Sequence, residues 1–289
     1  MLNIIVAPYS HNKTGEKHAK KIVKYLKAEQ IEYSVYFSLN FDSLKENVKK
    51  LVDSGEHEYI VIGDDPIISS TISCFKDLSK IKLGIIPTSK NDDFAKYLKL
   101  SPHPIQGIKD ILAKNIENID LLIANDMTVL NSILIGASVE VFHMYNQFKV
   151  KNILTEQYAN MRYGNSYPGV DLVFENKTKN KKELVFELII ANGGLSKGKP
   201  VSPLSNLKDG LFNLNYSTVS NKPGKKKFMR MLKKGSHIYN EDTKQHWLTN
   251  IKITSPDKKI KTLIDGKIYN FEELNVSIIE GGLKLYKKP

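Results

Sequence analysis

Two short stretches hold the residues best suited to chemistry. The first is Ile62-Gly63-Asp64-Asp65-Pro66, and the second is Pro87-Thr88-Ser89-Lys90-Asn91-Asp92-Asp93-Phe94-Ala95. Each follows an apolar run of strand character. In an open α/β sheet such turns lie at the carboxyl ends of strands, where ligands bind. Carboxylates there can hold a magnesium ion through water, and backbone amides at a helix start can receive phosphate. Lys90 adds a cation to the second turn. The same acids also suit plain helix capping, and at this point the two readings stand side by side.

The elements that must position these turns are visible in the periodicity. Leu2 to Ala7, Tyr33 to Leu39, Tyr59 to Ile62 and Leu83 to Ile86 read as strands. Between them, Ala19, Ile22, Val23 and Leu26, then Phe41, Leu44, Val48, Leu51 and Val52, recur at helical spacing. An apolar segment runs from Ile67 to Phe75, and a further helix is expected to begin near Asn91 or Asp92. Such alternation predicts βαβ units and a mostly parallel sheet. After about residue 116 the rhythm changes. Leu121 to Ala124, Val129 to Ile135, Val170 to Phe174, Leu184 to Ala191, Leu211 to Tyr216, His246 to Thr254 and Lys261 to Ile264 read as strands, with polar turns such as Asn176 to Lys182 between them. Helical character is confined to Val139 to Tyr158 and Lys225 to Leu232. The expected fold class is therefore α/β plus all-β, with an α/β domain over 1–120 and an antiparallel, β-sandwich-like domain over 121–289.

A chain of 289 residues has room for two ordinary domains, and 41% hydrophobic with 26% charged residues excludes disordered and collagen-like classes. Lys plus Arg is 43 against 31 Asp plus Glu, a net +12. That excess favours anionic partners: nucleotide phosphates, acidic lipid headgroups or nucleic acid. The basic runs carry no recognised nucleic-acid motif, so nucleic acid is not expected. With Cys74 alone, no intrachain disulfide can form, which fits a reducing compartment. No apolar stretch approaches the roughly 20 residues of a membrane-spanning helix, and Met1 to Ser10 lacks the basic start of a secretory signal. The expected location is cytoplasmic, with peripheral visits to the inner face of the membrane.

In this order the pieces resemble the diacylglycerol kinase catalytic-domain family: bacterial lipid kinases and their sphingosine and ceramide kinase relatives. Ile62 to Pro66 stands where that family has Gly-Gly-Asp-Gly-Thr. Gly84-Ile85-Ile86-Pro87 through Asp92-Asp93-Phe94-Ala95-Lys96 stands at its Pro-Leu-Gly-Thr-Gly-Asn-Asp-Phe-Ala-Arg. Asn118-Ile119-Asp120-Leu121 resembles its aspartate-bearing junction strand. Ile190-Ala191-Asn192-Gly193, Ser202-Pro203, Lys208-Asp209-Gly210-Leu211 and Leu263-Ile264-Asp265-Gly266-Lys267 resemble its Ala-Asn-Gly, Ala-Pro, Asp-Asp-Gly-Leu and Asp-Gly-Glu elements. The resemblance implies ATP-dependent phosphorylation of diacylglycerol or a similar lipid alcohol, with ATP and Mg2+ as cofactors. It implies that Asp64, Asp93 and Asp120 arrange the metal, that Asp265 acts as general base with Asp64 as the second catalytic acid, and that Ser10, Gly63, Asp65, Ser89, Lys90 and Asn91 line the nucleotide. The implied partners are a lipid alcohol and, transiently, an anionic membrane surface; a homodimer stays open.

The departures from the family pattern are chemical. Asp65 replaces a glycine and adds a charge where phosphate should approach, while Pro66 replaces a threonine and removes a hydroxyl and an amide hydrogen. Ser89, Lys90 and Asn91 replace Gly-Thr-Gly, with Lys90 able to offset Asp65. Lys267 stands in place of the acid beside Asp265, and Lys208 replaces one acid of a structural magnesium site near Asp209. These changes keep an alternative in view: a catalytically inactive pseudokinase that binds lipid, nucleotide or a partner. Some family members return a carboxyl-terminal segment to the first domain, and a chain ending just after Gly282 to Tyr286 has little length left for this. The seven histidines and Cys74 are expected to be structural. The basic cluster Lys225 to Lys234, interleaved with Phe228, Met229, Met231 and Leu232, suits either a solvated face or a membrane-surface helix.

Overall fold

The computed structural model describes residues 1–289 except 76, 90–91, 177–178, 197, 257–258 and 289, and for residues 11, 12, 176 and 179 it describes the backbone alone. Lys90 and Asn91, two of the expected nucleotide-lining residues, thus lie outside the described residues. The chain divides into two compact units: Met1–Leu121 with Asp126–Leu130 and Ile279–Pro289, and Leu122–Asn125 with Asn131–Ile278.

In the first unit β1 (Leu2–Val6), α1 (Ser10–Ala28), β2 (Tyr33–Phe37), α2 (Phe41–Asp53), β3 (Glu58–Gly63), α3 (Asp65–Ile72), β4 (Lys82–Pro87), α4 (Asp93–Tyr97) and α5 (Pro104–Leu112) follow one another. The strands pair in the order β2-β1-β3-β4, all parallel. Their runs LNIIV, YIVIG and LGIIP are buried throughout, as strands covered on both faces must be. Helix α1 lays Ala19, Ile22 and Leu26 on the apolar core that holds Ile4, Val6, Ile60 and Ile62, with its lysines turned outward. Asn40 starts α2 with a reciprocal capping box to Ser43, whose N–H donates to Asn40 Oδ1 at 2.8 Å. Then come β5 (Ile116–Ala124) and β6 (Met127–Val129), and the chain enters the second unit within β5.

The second unit contains β7 (Ser132–Gly136), α6 (Ala137–Gln147), α7 (Ile153–Ala159), β8 (Val170–Asn176), β9 (Lys179–Val185), β10 (Glu187–Ala191), the two-residue strands β11 (Leu195–Ser196) and β12 (Lys199–Pro200), β13 (Phe212–Ser217), α8 (Lys222–Lys234), β14 (Thr243–Leu248), β15 (Asn250–Thr254), β16 (Ile260–Ile264), β17 (Lys267–Phe271) and the start, residues 273–278, of β18 (Glu273–Tyr286). One antiparallel sheet runs β14-β13-β10-β7-β16-β17, while β8, β9, β15 and the start of β18 pair antiparallel among themselves. A single π turn, Asn160–Gly164, continues α7. The core gathers Leu134, Phe186, Ile189, Phe228, Met229 and Leu263 beneath α6 and α8.

Six local expectations change. The run 129–135 is the end of β6 and then β7, separated by Leu130 and Asn131, and the run 184–191 breaks at Phe186 between β9 and β10. The helical stretch 139–158 is two helices, because Phe148 turns extended and Asn152 caps the second with a box to Thr155. The run 246–254 is two strands, β14 and β15, that part at Thr249. Of the expected turn 176–182, residues 179–182 belong to strand β9, where Lys181 and Lys182 stand on an edge strand; charged edges resist unwanted pairing and hide the strand from hydropathy. Finally, the chain does return to the first unit. Strand β18 is 14 residues long, and Lys284 and Leu285 pair parallel with Lys82 and Leu83 of β4.

Candidate functional site

In the first unit the ends of β1, β3 and β4 are joined by a small polar network. Thr88, just past β4, donates its N–H to the Gly63 carbonyl at 3.3 Å, and its hydroxyl lies 2.8 Å from that of Ser10, the first residue of α1. Both hydroxyls are buried. Ser10 also donates its N–H to the Ala7 carbonyl at 3.1 Å. Ser10, Gly63 and the Thr88-Ser89 turn are therefore brought together. Gly63 has a packing reason to be glycine, since a Cβ there would stand 2.6 Å from Ile67 Cγ2. Tyr9 borders the same place: partial burial, helped by the charge of Asp64, raises its phenol above the usual range. On α1, His18 donates to the Pro87 carbonyl, and burial holds its imidazole below the usual range.

The acids of the two turns are engaged by backbone. Asp64 is the N-cap of α3 and accepts from the Ile67 N–H at 3.4 Å; Asp65 and Pro66 form the first turn, where the missing amide of proline breaks no helical bond. The carboxylate of Asp65, 8% exposed, accepts from the Phe94 N–H at 3.2 Å and so ties α3 to α4. The expected charge beside phosphate is thereby turned inward onto an amide. Asp92 accepts from the Ser89 N–H at 2.9 Å and closes the second turn. Asp93 begins α4. Asp120 is buried in β5 and accepts from the Gly281 N–H at 2.8 Å, holding the returning end of β18. Among the described residues no three His, Cys, Asp or Glu side chains form a group that could hold a metal ion, so Asp64, Asp93 and Asp120 offer no ready-made magnesium site.

In the second unit Asp265 sits in the tight turn between β16 and β17 with φ +43°, a left-handed backbone unusual outside glycine. Its Oδ1 accepts from the N–H groups of Asn131 and Ser132 at 2.9 and 3.1 Å, which fixes the carboxylate against the start of β7. Lys267 carries its ammonium 5.4 Å from the centre of the Tyr269 ring. Asp209 caps its own turn through the Leu211 N–H at 3.1 Å.

Two features of the second unit escaped the sequence reading. Glu187, fully buried in β10, accepts from the Ser138 N–H at 2.8 Å at the start of α6, and burial pushes its carboxyl up to about 8. The signal was present as one acid inside the apolar run 185–191. The other feature is a cavity of about 280 Å³ with walls from Val141, Phe142, Met229, Leu232 and Leu263. Glu156, Lys199 and Lys233 also line it, Lys199 being ion-paired to Glu156. Burial, and then the charge of Lys199, hold the Lys233 ammonium below its usual range. No short motif announces such a cavity, because its walls come from α6, α8, β7 and β16.

Comparison with known proteins follows the same lines. The sequence description of the diacylglycerol kinase catalytic domain matches residues 1–124. A Staphylococcus carnosus (strain TM300) protein named "Putative lipid kinase" is 26% identical over 240 residues, 78% of this chain and 76% of its own length. The crystal structure of a diacylglycerol kinase from Bacillus anthracis str. Sterne superposes with a TM-score of 0.74 at 15% identity, covering 100% of this chain and 97% of the other. An NAD kinase from Archaeoglobus fulgidus, in complex with ATP, reaches 0.54 at 13% identity over 100% of this chain and 94% of the other. At those identities the solved structures speak for the fold, which is α/β with mostly parallel strands joined to an antiparallel β part. No described helix is long and apolar enough to cross a membrane.

Proposed function

We propose that this chain, whose residues 1–124 carry the diacylglycerol kinase catalytic domain, phosphorylates a lipid alcohol of the diacylglycerol kind with ATP, with a weakened hold on the nucleotide. The observation that carries the kinase reading is that domain match. The apolar cavity of the second unit supports a lipid as acceptor, since alkyl chains leave water readily and charges at the lining can orient a polar head. In the reaction the lipid hydroxyl gives up its proton as its oxygen attacks the γ-phosphorus, and ADP leaves. Asp265 is assigned as the base. Its two amide donors hold it in one orientation, as a general base requires. Ser10, Gly63, Asp64, Asp65 and Ser89 are assigned to the nucleotide side, with Lys90 and Asn91 from the same loop. Asp64, Asp93 and Asp120 remain the candidate magnesium acids; because they form no ready-made site, no step here runs through the ion.

The weakening has a specific cause. A nucleotide phosphate is held by backbone amides and positive charge. Here the Phe94 amide already serves Asp65, the Ile67 amide serves Asp64, and Pro66 has none. The same bonds favour the second reading, a pseudokinase that binds lipid without turnover. Transfer of labelled γ-phosphate to diacylglycerol in detergent micelles tests the choice, with and without magnesium. Transfer that Asp265→Asn reduces at least about a hundredfold supports the kinase. Absence of transfer to any lipid alcohol, together with thermal stabilisation by lipid but not by ATP, supports the pseudokinase instead.

A further inference from the structure

Helix α6 starts without a cap of its own. Its N-cap, Gly136, has no side chain and takes φ +117°, where a Cβ would stand 2.3 Å from the Phe186 carbonyl oxygen. The cap comes instead from the neighbouring strand. Glu187 lies opposite Gly136, is fully buried, and accepts from the Ser138 N–H at 2.8 Å through Oε2. Its other oxygen, Oε1, is buried with no hydrogen-bond partner. One amide satisfies a neutral carboxyl group, whereas a carboxylate in such a place needs further donors or a cation. Three ionisable groups stand around Glu187, and among the described residues none bonds to it. Burial raises the Tyr167 phenol, and the nearby acids Glu187 and Glu140 raise it further. Glu140 of α6 is ion-paired to Lys261 of β16 at 3.0 Å. Lys225 of α8 donates to the Tyr167 carbonyl at 2.7 Å and lies 5.4 Å from the centre of the Phe186 ring. The first turns of α6 then carry Ser138, Val141 and Phe142 into the wall of the apolar cavity. The side chain that holds the start of α6 therefore holds that wall.

We propose that Glu187 is a positioning residue of this cavity: uncharged, it pins the start of α6, and loss of its proton to solvent releases that helix end and weakens lipid binding. A carboxylate is poorly held on one buried amide, and water reaches Oε1 when α6 parts from β10, which moves Ser138 and Val141. Binding and protonation are then linked, because a lipid that needs the ordered wall also holds the proton in place. Burial already pushes this carboxyl up to about 8, which brings the linkage within reach of mild pH. The inference rests on the reading of the cavity as the lipid site and is independent of phosphoryl transfer.

Isothermal titration of the full chain with 1-decanoylglycerol, which carries no charge, provides the test at pH 6 and pH 9. A lipid that binds only the protonated form loses about tenfold in affinity between the two, since about a tenth of the carboxyl groups keep their proton at pH 9. Glu187→Gln keeps an acceptor for the Ser138 amide and cannot ionise, so it binds equally at both. At pH 8 the wild type takes up protons on binding, read from titrations in two buffers of different ionisation enthalpy, and Glu187→Gln takes up none. Lys233 also lines the cavity and is held below its usual range, so its own titration is separated by Lys233→Gln, which keeps the wild-type ratio between the two pH values. Equal wild-type affinity at pH 6 and pH 9 overturns the proposal, as does a fall that survives Glu187→Gln or disappears in Lys233→Gln. Loss of the native circular-dichroism signal of the wild type at pH 9 overturns it too, because the charge would then unfold the unit rather than loosen one wall. Absence of binding at pH 6 would remove the lipid reading of the cavity, and this inference with it.

Discussion

At the strand ends of the first unit, polar side chains bond to one another and to backbone; around α6, α7 and α8 of the second unit, charges border an apolar cavity. Ser10 meets Thr88, Asp64 and Asp65 meet amides, and Asp92 closes its own turn. The cavity beside Val141 and Met229 keeps its volume. In the first unit amides and hydroxyls at the strand ends are satisfied internally, whereas in the second the apolar walls enclose a volume that no side chain of the chain fills.

The largest expected effect breaks the second region. Phe228 is 1% exposed and stands edge-on to Phe186 with ring centres 5.8 Å apart. Phe228→Ala should cost about 4 kcal/mol of stability, read by urea unfolding, and abolish stabilisation by lipid while ATP titration of the folded protein is unchanged. Loss of both responses would show that the contrast between the regions is false.

Next in size is a pH effect from Glu187. Its folded-state carboxyl lies at about 8 against an ordinary 4.5, so the native chain holds this proton more tightly than the unfolded chain. The resulting stability is complete below pH 4.5 and is lost as pH rises toward 8. Glu187→Gln should flatten that fall, on the order of 3 kcal/mol, seen as converging Tm values at pH 5 and pH 8. A slope identical to wild type would mean that Glu187 is charged in the native state.

A smaller effect sharpens the first region. Ser10→Ala removes one side of the buried hydroxyl pair with Thr88 and should lower stability by about 1 kcal/mol. If the pair is purely structural, ATP affinity follows stability and changes little. An affinity loss of tenfold or more would make Ser10 a nucleotide contact.

Much of the fold is written in local pattern. The strands of the first unit are continuous apolar runs because both faces are covered, and such runs survive as signals whatever surrounds them. Strand β9 is lost to the eye because Lys181 and Lys182 serve an edge. The return of β18 is missed because its first half, ELNVSIIE, alternates like a surface strand and says nothing about its partner. For the site, spacing identifies which residues stand at strand ends, and Ser10, Gly63, Asp64 and Ser89 are there. Direction is another matter. Whether Asp65 faces a ligand or the Phe94 amide depends on a contact across 29 residues, which no local pattern carries.

The claim that the nucleotide hold is weakened by Asp65 and Pro66 meets its most direct test in isothermal titration with ATP. Wild type is set against the double variant Asp65→Gly with Pro66→Thr. The change frees the Phe94 amide, restores an amide donor and removes one negative charge. The double variant should bind ATP at least about tenfold more tightly than wild type, with wild-type binding weak and measurable. Equal affinity in the two proteins, or no heat of binding in either, would contradict the claim.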